Sequence, residues 1–217
     1  MISSIELRGV LPEVFAGASP ARSSGLWLQP SVKFTRPGAY IVEAESGIGK
    51  SSLVSYIYGA RTDYRGQILI DGEDIRTFGI GRWCSLRRTS IACLPQDMRL
   101  FPELTVLENI QVKNRLTDFR TEAEIMDMLR CLEIEDKAGS PAALLSLGQQ
   151  QRVAIVRALC QPFGFLLADE PVSHLDARNN ATVAGLITAA AAAQEAAVIA
   201  TSVGNQLKLK QFTLLRL

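Results

Sequence analysis

Lys50 is preceded by Ala44-Glu45-Ser46-Gly47-Ile48-Gly49 and followed by Ser51 and Ser52. The apolar run Ala39 to Val42 leads into this stretch and an amphipathic segment leaves it. A strand, a tight glycine turn and a helix start, in that order, make a cradle for a triphosphate. Gly47 and Gly49 allow the backbone N–H groups of Ser46 to Ser52 to close on phosphate oxygens, and the helix adds its positive N-terminal end. Lys50 is placed to reach the β- and γ-phosphates, and the Ser51 hydroxyl to sit on Mg²⁺. Gly-Lys-Ser also arises by chance in ordinary chains, so the placement between strand and helix carries the reading. The motif's usual first glycine is here Ala44.

A second constellation closes the apolar run Phe165 to Ala168 with two acids, Asp169 and Glu170. Ligands of an open parallel sheet collect at the carboxyl ends of its strands. Asp169 is then positioned beside the phosphate loop to hold Mg²⁺, directly or through water, and Glu170 to polarise an attacking water. Two solvated acids at a strand end are the plainer alternative. A third feature is Ser146-Leu147-Gly148-Gln149, an S-x-x-Q capping box at the start of a helix with an apolar face. That structural account is complete in itself. A capped helix start is also an anion site, so both roles stand together.

The elements that must position these groups follow from the period of the apolar residues. Ile5 to Val10, Leu26 to Phe34, Ala39 to Val42, Gln67 to Asp71 and Ile91 to Leu94 read as strands. Ala16 to Gly25, rich in Gly, Ser, Pro and Ala, reads as a loop. From Thr105 to about Leu145 the period turns helical, with Thr121 capping a second helix that carries Ile125, Met126, Met128 and Leu129. Phe165 to Ala168, a helix over Asp176–Gln194 and the strand Ala197 to Thr201 then restore a βαβ alternation, with Thr213 to Leu217 as a last strand.

At 217 residues the chain is expected to form one domain, or one core with an inserted lobe, and to bury a proper interior. The first half holds strands with the phosphate loop, and the middle is an all-helical lobe. A formal net charge of +1 gives no reason to expect nucleic acid or an anionic surface as partner. Cys84, Cys93, Cys131 and Cys160 show no C-x-x-C spacing and read as reduced, packed thiols. Met1 to Glu6 lacks a basic region followed by an apolar one, so no signal peptide is expected. The uncharged stretch Ala181 to Gln194 is too short and too weakly apolar to span a bilayer.

Taken together, the chain resembles the nucleotide-binding domain of ATP-binding cassette (ABC) proteins. The matches come in the family's order: the phosphate loop at Lys50, a glutamine at Gln96, the signature at Ser146–Gln149, the acids Asp169 and Glu170, and the D-loop Ser173-His174-Leu175-Asp176. Arg99-Leu100-Phe101-Pro102-Glu103-Leu104-Thr105-Val106-Leu107-Glu108-Asn109 looks most like the ATPases of lipoprotein release, macrolide export and the FtsE type. The resemblance implies an α/β phosphate-loop NTPase fold, with residues 1–96 and 146–217 as the nucleotide-binding core and its N-terminal antiparallel β subdomain, and about 97–145 as an inserted helical subdomain. It implies a head-to-tail homodimer holding two ATP molecules with Mg²⁺. Each ATP would lie between one chain's phosphate loop and the Ser146, Leu147, Gly148 and Gln149 segment of its mate. Gln96 inherits a contact to Mg²⁺ or the attacking water, and Asp176 a contact to the opposing subunit. A separate FtsX-like transmembrane permease is implied, which would hold the chain at the inner face of the cell membrane.

Departures from the family pattern are equally specific. The histidine that usually follows the strand after the base is here Ser202, which donates a hydrogen bond but carries no ring charge. Leu147 replaces the signature's first glycine. Glu45 adds a carboxylate near the phosphates, tolerable only if it points to solvent. Hydrolysis is accordingly expected to be slow without the permease. Relatives stack an aromatic on the adenine; counting along the chain reaches Val14, with Phe15 beside it, and Phe15 is either that platform or core. Leu100, Phe101 and Leu104 are candidates for an apolar docking surface or for packing of the helical lobe. A weakly hydrolysing nucleotide sensor and a soluble ABC ATPase without a transport role are the other readings. The second lacks the tandem cassettes, heptads and basic patches it would need.

Overall fold

The computed structural model describes residues 1–16, 25–27 and 29–217. Its strands are β1 (Ser4–Pro12), β2 (Val32–Thr35), β3 (Gly38–Glu43), β4 (Tyr64–Ile70), β5 (Glu73–Asp74), β6 (Ile91–Leu94), β7 (Phe165–Ala168), β8 (Ala197–Ser202) and β9 (Thr213–Arg216). Its helices are α1 (Lys50–Ile57), α2 (Ile80–Thr89), α3 (Val106–Asn114), α4 (Glu122–Cys131), α5 (Leu147–Leu159) and α6 (Ala177–Ala192). Two sheets result, an antiparallel one in the order β2-β1-β4-β5 and a parallel one in the order β6-β7-β8-β3-β9.

The central strands of the parallel sheet are near-continuous apolar runs because both faces are covered. Alternate residues feed two cores. Ala92, Leu94, Leu166, Ala168, Val198 and Ala200 pack with α3, α4, α5 and α6, while Ile91, Phe165, Leu167, Ala197 and Ile199 pack with α1 and the antiparallel sheet. Every strand of the parallel sheet therefore ends at one edge, where the segments after Glu43, Leu94, Ala168 and Ser202 meet. The Thr105, Thr121 and Ser146 side chains each accept from the backbone three residues on, and Glu108, Glu124 and Gln149 return the bond, closing three capping boxes.

The structure departs from the sequence expectations in four places. The strand expected over Leu26 to Phe34 is confined to Val32–Thr35; Gly25 to Trp27 form a turn that buries Trp27. Residues 17–24 of the expected loop, and Leu28, lie outside the described residues. β4 begins earlier, at Tyr64, and stops before Asp71, whose φ of 51° turns the chain. Helix α2 was not anticipated, because only Leu86 on it is buried. Finally, the four thiols are not uniformly packed. Cys84 and Cys131 are exposed, while burial pushes the Cys93 and Cys160 thiols up to about 12.

Candidate functional site

The phosphate-loop residues occupy the edge where β3 ends. Gly47 and Gly49 have φ of 85° and 96°, a region that favours glycine, and Gly49 is the N-cap of α1 with no side-chain cap on the helix start. A side chain at Gly49 would also meet the Phe15 and Trp27 rings at 3.3 Å. Trp27 Nε1 donates to the Ile48 carbonyl at 3.1 Å and so braces the loop from behind. Ser46 and Ser51 are exposed, Ser52 is half-buried, and Glu45 points to solvent as its charge requires. Ala44, in the usual glycine position, is not among the residues with positive φ, so its methyl group meets no backbone penalty.

Lys50 is 5% exposed, and its ammonium donates to the carbonyls of Ala44 at 3.2 Å and Glu45 at 2.7 Å. Glu170 Oε1 stands 3.7 Å from the same Nζ. The cation and the candidate base therefore share one spot although 120 residues separate them in sequence. A buried ammonium needs such partners, since desolvation without them costs several kcal/mol.

Asp169 is buried at the end of β7, where its backbone N–H donates to Leu94. Thr201 Oγ1 donates to Asp169 Oδ1 at 2.6 Å and accepts from the Glu170 N–H at 3.0 Å. Ser51 Oγ donates to Gln96 Oε1 at 3.4 Å. Ser51, Gln96 and Asp169 all line one cleft of 780 Å³ between α1, the end of β6, α3 and α5, together with Tyr58 and Lys113. Ser51 and Asp169 offer hydroxyl and carboxylate oxygens, and Gln96 an amide oxygen. An all-oxygen donor set suits a hard cation such as Mg²⁺ that completes its shell with phosphate and water. Among the described residues no cluster of three His, Cys, Asp or Glu could hold a metal without such help.

At the start of α5, Ser146 and Leu147 are exposed and Gly148 and Gln149 half-buried. A methyl group on Gly148 would meet the His174 carbonyl at 3.0 Å, so this glycine lets α5 lie against the D-loop. Leu147, at the departure from the signature, keeps its side chain in solvent with the neighbouring Leu144. The Asp176 carboxylate accepts from the Asn179 backbone at 2.8 Å and from its side chain at 3.2 Å. Those bonds hold its carboxyl below the ordinary range and make it the N-cap of α6. Ser202 is buried at the end of β8 beside Glu43, and its Oγ has no hydrogen-bond partner among the described residues. Phe15 is half-buried, packed on the core beside Gly49. Phe101 is exposed, whereas Leu100 packs on the helical core and Leu104 is half-buried.

Two residues with a direct hold on the acids were missed from the sequence: Thr201 and Gln151. Gln151, buried on α5, donates to the Glu170 carbonyl at 3.1 Å and to Ser173 Oγ at 3.2 Å, and accepts from the His174 N–H at 3.0 Å. A polar residue four positions before Ile155 on the buried face of a helix was the available signal.

The family model described as ABC transporter matches residues 32–173. The "ABC transporter ATP-binding protein YtrE" of Bacillus subtilis (strain 168) is 34% identical over 149 residues, 67% of this chain and 64% of that protein. The chain thus spans just under two thirds of that relative's length. The "Lipoprotein-releasing system ATP-binding protein LolD" of Roseobacter denitrificans is 32% identical over 176 residues, 79% of this chain and 76% of the relative. Among solved structures, the dimeric structure of MJ0796, a bacterial ABC transporter cassette, superposes with a TM-score of 0.75 at 24% identity, covering 98% of this chain and 94% of the other. No helix among the described residues is long and apolar enough to cross a membrane.

Proposed function

The chain belongs to the ABC transporter family, and from that premise we propose that it binds and hydrolyses ATP to drive a separate transmembrane permease. The observation that carries this reading is the convergence of Lys50, Ser51, Gln96, Asp169 and Glu170 on one sheet edge. Ser46 to Ser52 hold the phosphates through backbone N–H groups, and Lys50 turns from its carbonyl partners to the γ-phosphate. Ser51, Gln96 and Asp169 are the residues that would hold Mg²⁺, which when bound offsets charge on the phosphate oxygens. Glu170 takes the proton of the water that attacks the γ-phosphorus, and the bond to the β-γ bridging oxygen breaks to give ADP and phosphate. Phe15 lies close enough to the loop to serve as the adenine platform.

The whole chain, 1–217, is read as one ATPase domain with residues 97–145 as its helical lobe. Two copies pair head to tail, so that Ser146, Leu147, Gly148 and Gln149 of one close the site of the other, with Asp176 at the seam. The likeness to a lipoprotein-releasing ATPase supports an FtsX-like permease, docked at exposed Phe101. The chain would then sit at the inner face of the cell membrane through that partner.

The test is ATP-driven pairing. Light scattering with Mg²⁺ and ATP should show the monomer converting to a dimer, and calorimetry should show ATP binding; a chain that does neither refutes the reading.

The Ser202 hydroxyl favours a slowly hydrolysing variant of the same reading and gives a prediction with two signs. Left without a partner, a buried hydroxyl destabilises the fold, so Ser202→Ala should stabilise the nucleotide-free chain by up to about 1–3 kcal/mol. If that hydroxyl donates to the γ-phosphate, the same variant should lower ATP turnover. Thermal melting and phosphate release, measured side by side, check both signs.

A further inference from the structure

Glu170 stands at φ 48°, in the left-handed region that few side chains tolerate. Both of its backbone polar groups are gripped by side chains from other elements. Its N–H donates to Thr201 Oγ1 on β8 at 3.0 Å, and its carbonyl accepts from Gln151 Nε2 on α5 at 3.1 Å. The Gln151 amide is also tied to Ser173 and to the His174 N–H, which joins α5 to the D-loop. Gln151 is 3% exposed with both amide atoms engaged, an arrangement that one missing partner would make costly. It lies one and a half turns into the helix that Ser146 caps.

We infer that Gln151 is a positioning residue that couples the two ATP sites of the dimer. This rests on the proposed pairing, in which a chain offers Ser146–Gln149 to its partner's nucleotide and Glu170 to its own. A phosphate drawn against the first turn of α5 displaces a rigid helix, and Gln151 passes that displacement to the Glu170 carbonyl and the D-loop. The strained Glu170 backbone is the part of the site that a shift of α5 pulls on, so occupancy of one site sets the base of the other. Thr201 anchors the N–H side of the same residue to Asp169 and keeps the pair of acids in register.

Gln151→Glu tests the coupling on the full-length chain. It keeps the side chain's size and the acceptor for His174 but removes the N–H pair given to Glu170 and Ser173. ATP affinity of the single chain should stay within about twofold, while turnover falls by about 5- to 150-fold and the Hill coefficient drops from about 2 towards about 1. Unchanged turnover and cooperativity in a variant that binds ATP overturn the coupling. Should the variant not fold, hydrogen exchange on unaltered Gln151 decides. ATP should slow exchange at Glu170 to His174 in the wild type but not in Ser146→Arg, whose bulk blocks the signature turn; equal protection in both overturns the inference. A wild-type chain that neither binds ATP nor dimerises refutes the functional reading itself.

Discussion

Glu170→Gln is expected to cut ATP turnover by roughly 10²- to 10⁴-fold while leaving ATP binding and dimerisation intact. The side chain sits 3.7 Å from the Lys50 ammonium, and its backbone is fixed by Thr201 and Gln151. Glutamine preserves the shape and those backbone bonds, so the loss isolates the carboxylate's capacity to take a proton. Because the ATP that bridges the dimer then stays unhydrolysed, light scattering should show a longer-lived dimer with ATP than in the wild type. Phosphate release at saturating ATP and Mg²⁺ gives the first number. Turnover within a factor of two of wild type would remove Glu170 from the chemistry.

The second large effect is on binding. Lys50→Ala removes the one ammonium held inside the loop, and hydrogen bonds to charged groups contribute about 1.5–3 kcal/mol each. The affinity for ATP should weaken by about 10- to 100-fold, seen by calorimetry. The same substitution leaves the Ala44 and Glu45 carbonyls without their donor, so a small loss of thermal stability accompanies it. Lys50→Met separates the two effects. It retains the aliphatic stem and most of the packing, and it should lose affinity to the same extent with less loss of stability. Equal affinity in all three chains would place the phosphates elsewhere.

How much of this was legible in the sequence follows from the range of each interaction. The phosphate loop, the two acids and the capping box at Ser146 are local: neighbours in sequence supply the glycine φ values, the strand end and the reciprocal bonds. The β7 and β6 bounds, Phe165–Ala168 and Ile91–Leu94, coincide with the apolar runs because a strand covered on both faces leaves no alternation to misread. Thr201 and Gln151 escaped notice because their partners lie 31 and 19 residues away, and only the folded sheet brings them to Glu170. Helix α2 escaped for a different reason. The Arg87 guanidinium does the work of an apolar face: it donates to the carbonyls of Tyr58 and Gly59 and stacks on the Tyr58 ring. Pattern reading that counts only apolar residues has no means of seeing that. Trp27 falls in an apolar run that reads as a strand, whereas its indole is the support beneath Ile48.

The lone pairs and the proton of a single hydroxyl give Ser146 two separable offices. Its oxygen receives the Gln149 N–H at 3.3 Å, which fastens the start of its own helix. That bond uses an electron pair and leaves the hydrogen uncommitted, so the same atom can still offer a proton outward to an anion arriving from a neighbouring molecule. Folding and assembly therefore make no rival demand on this residue. Threonine, which carries the same hydroxyl, should preserve both offices, while alanine removes them together.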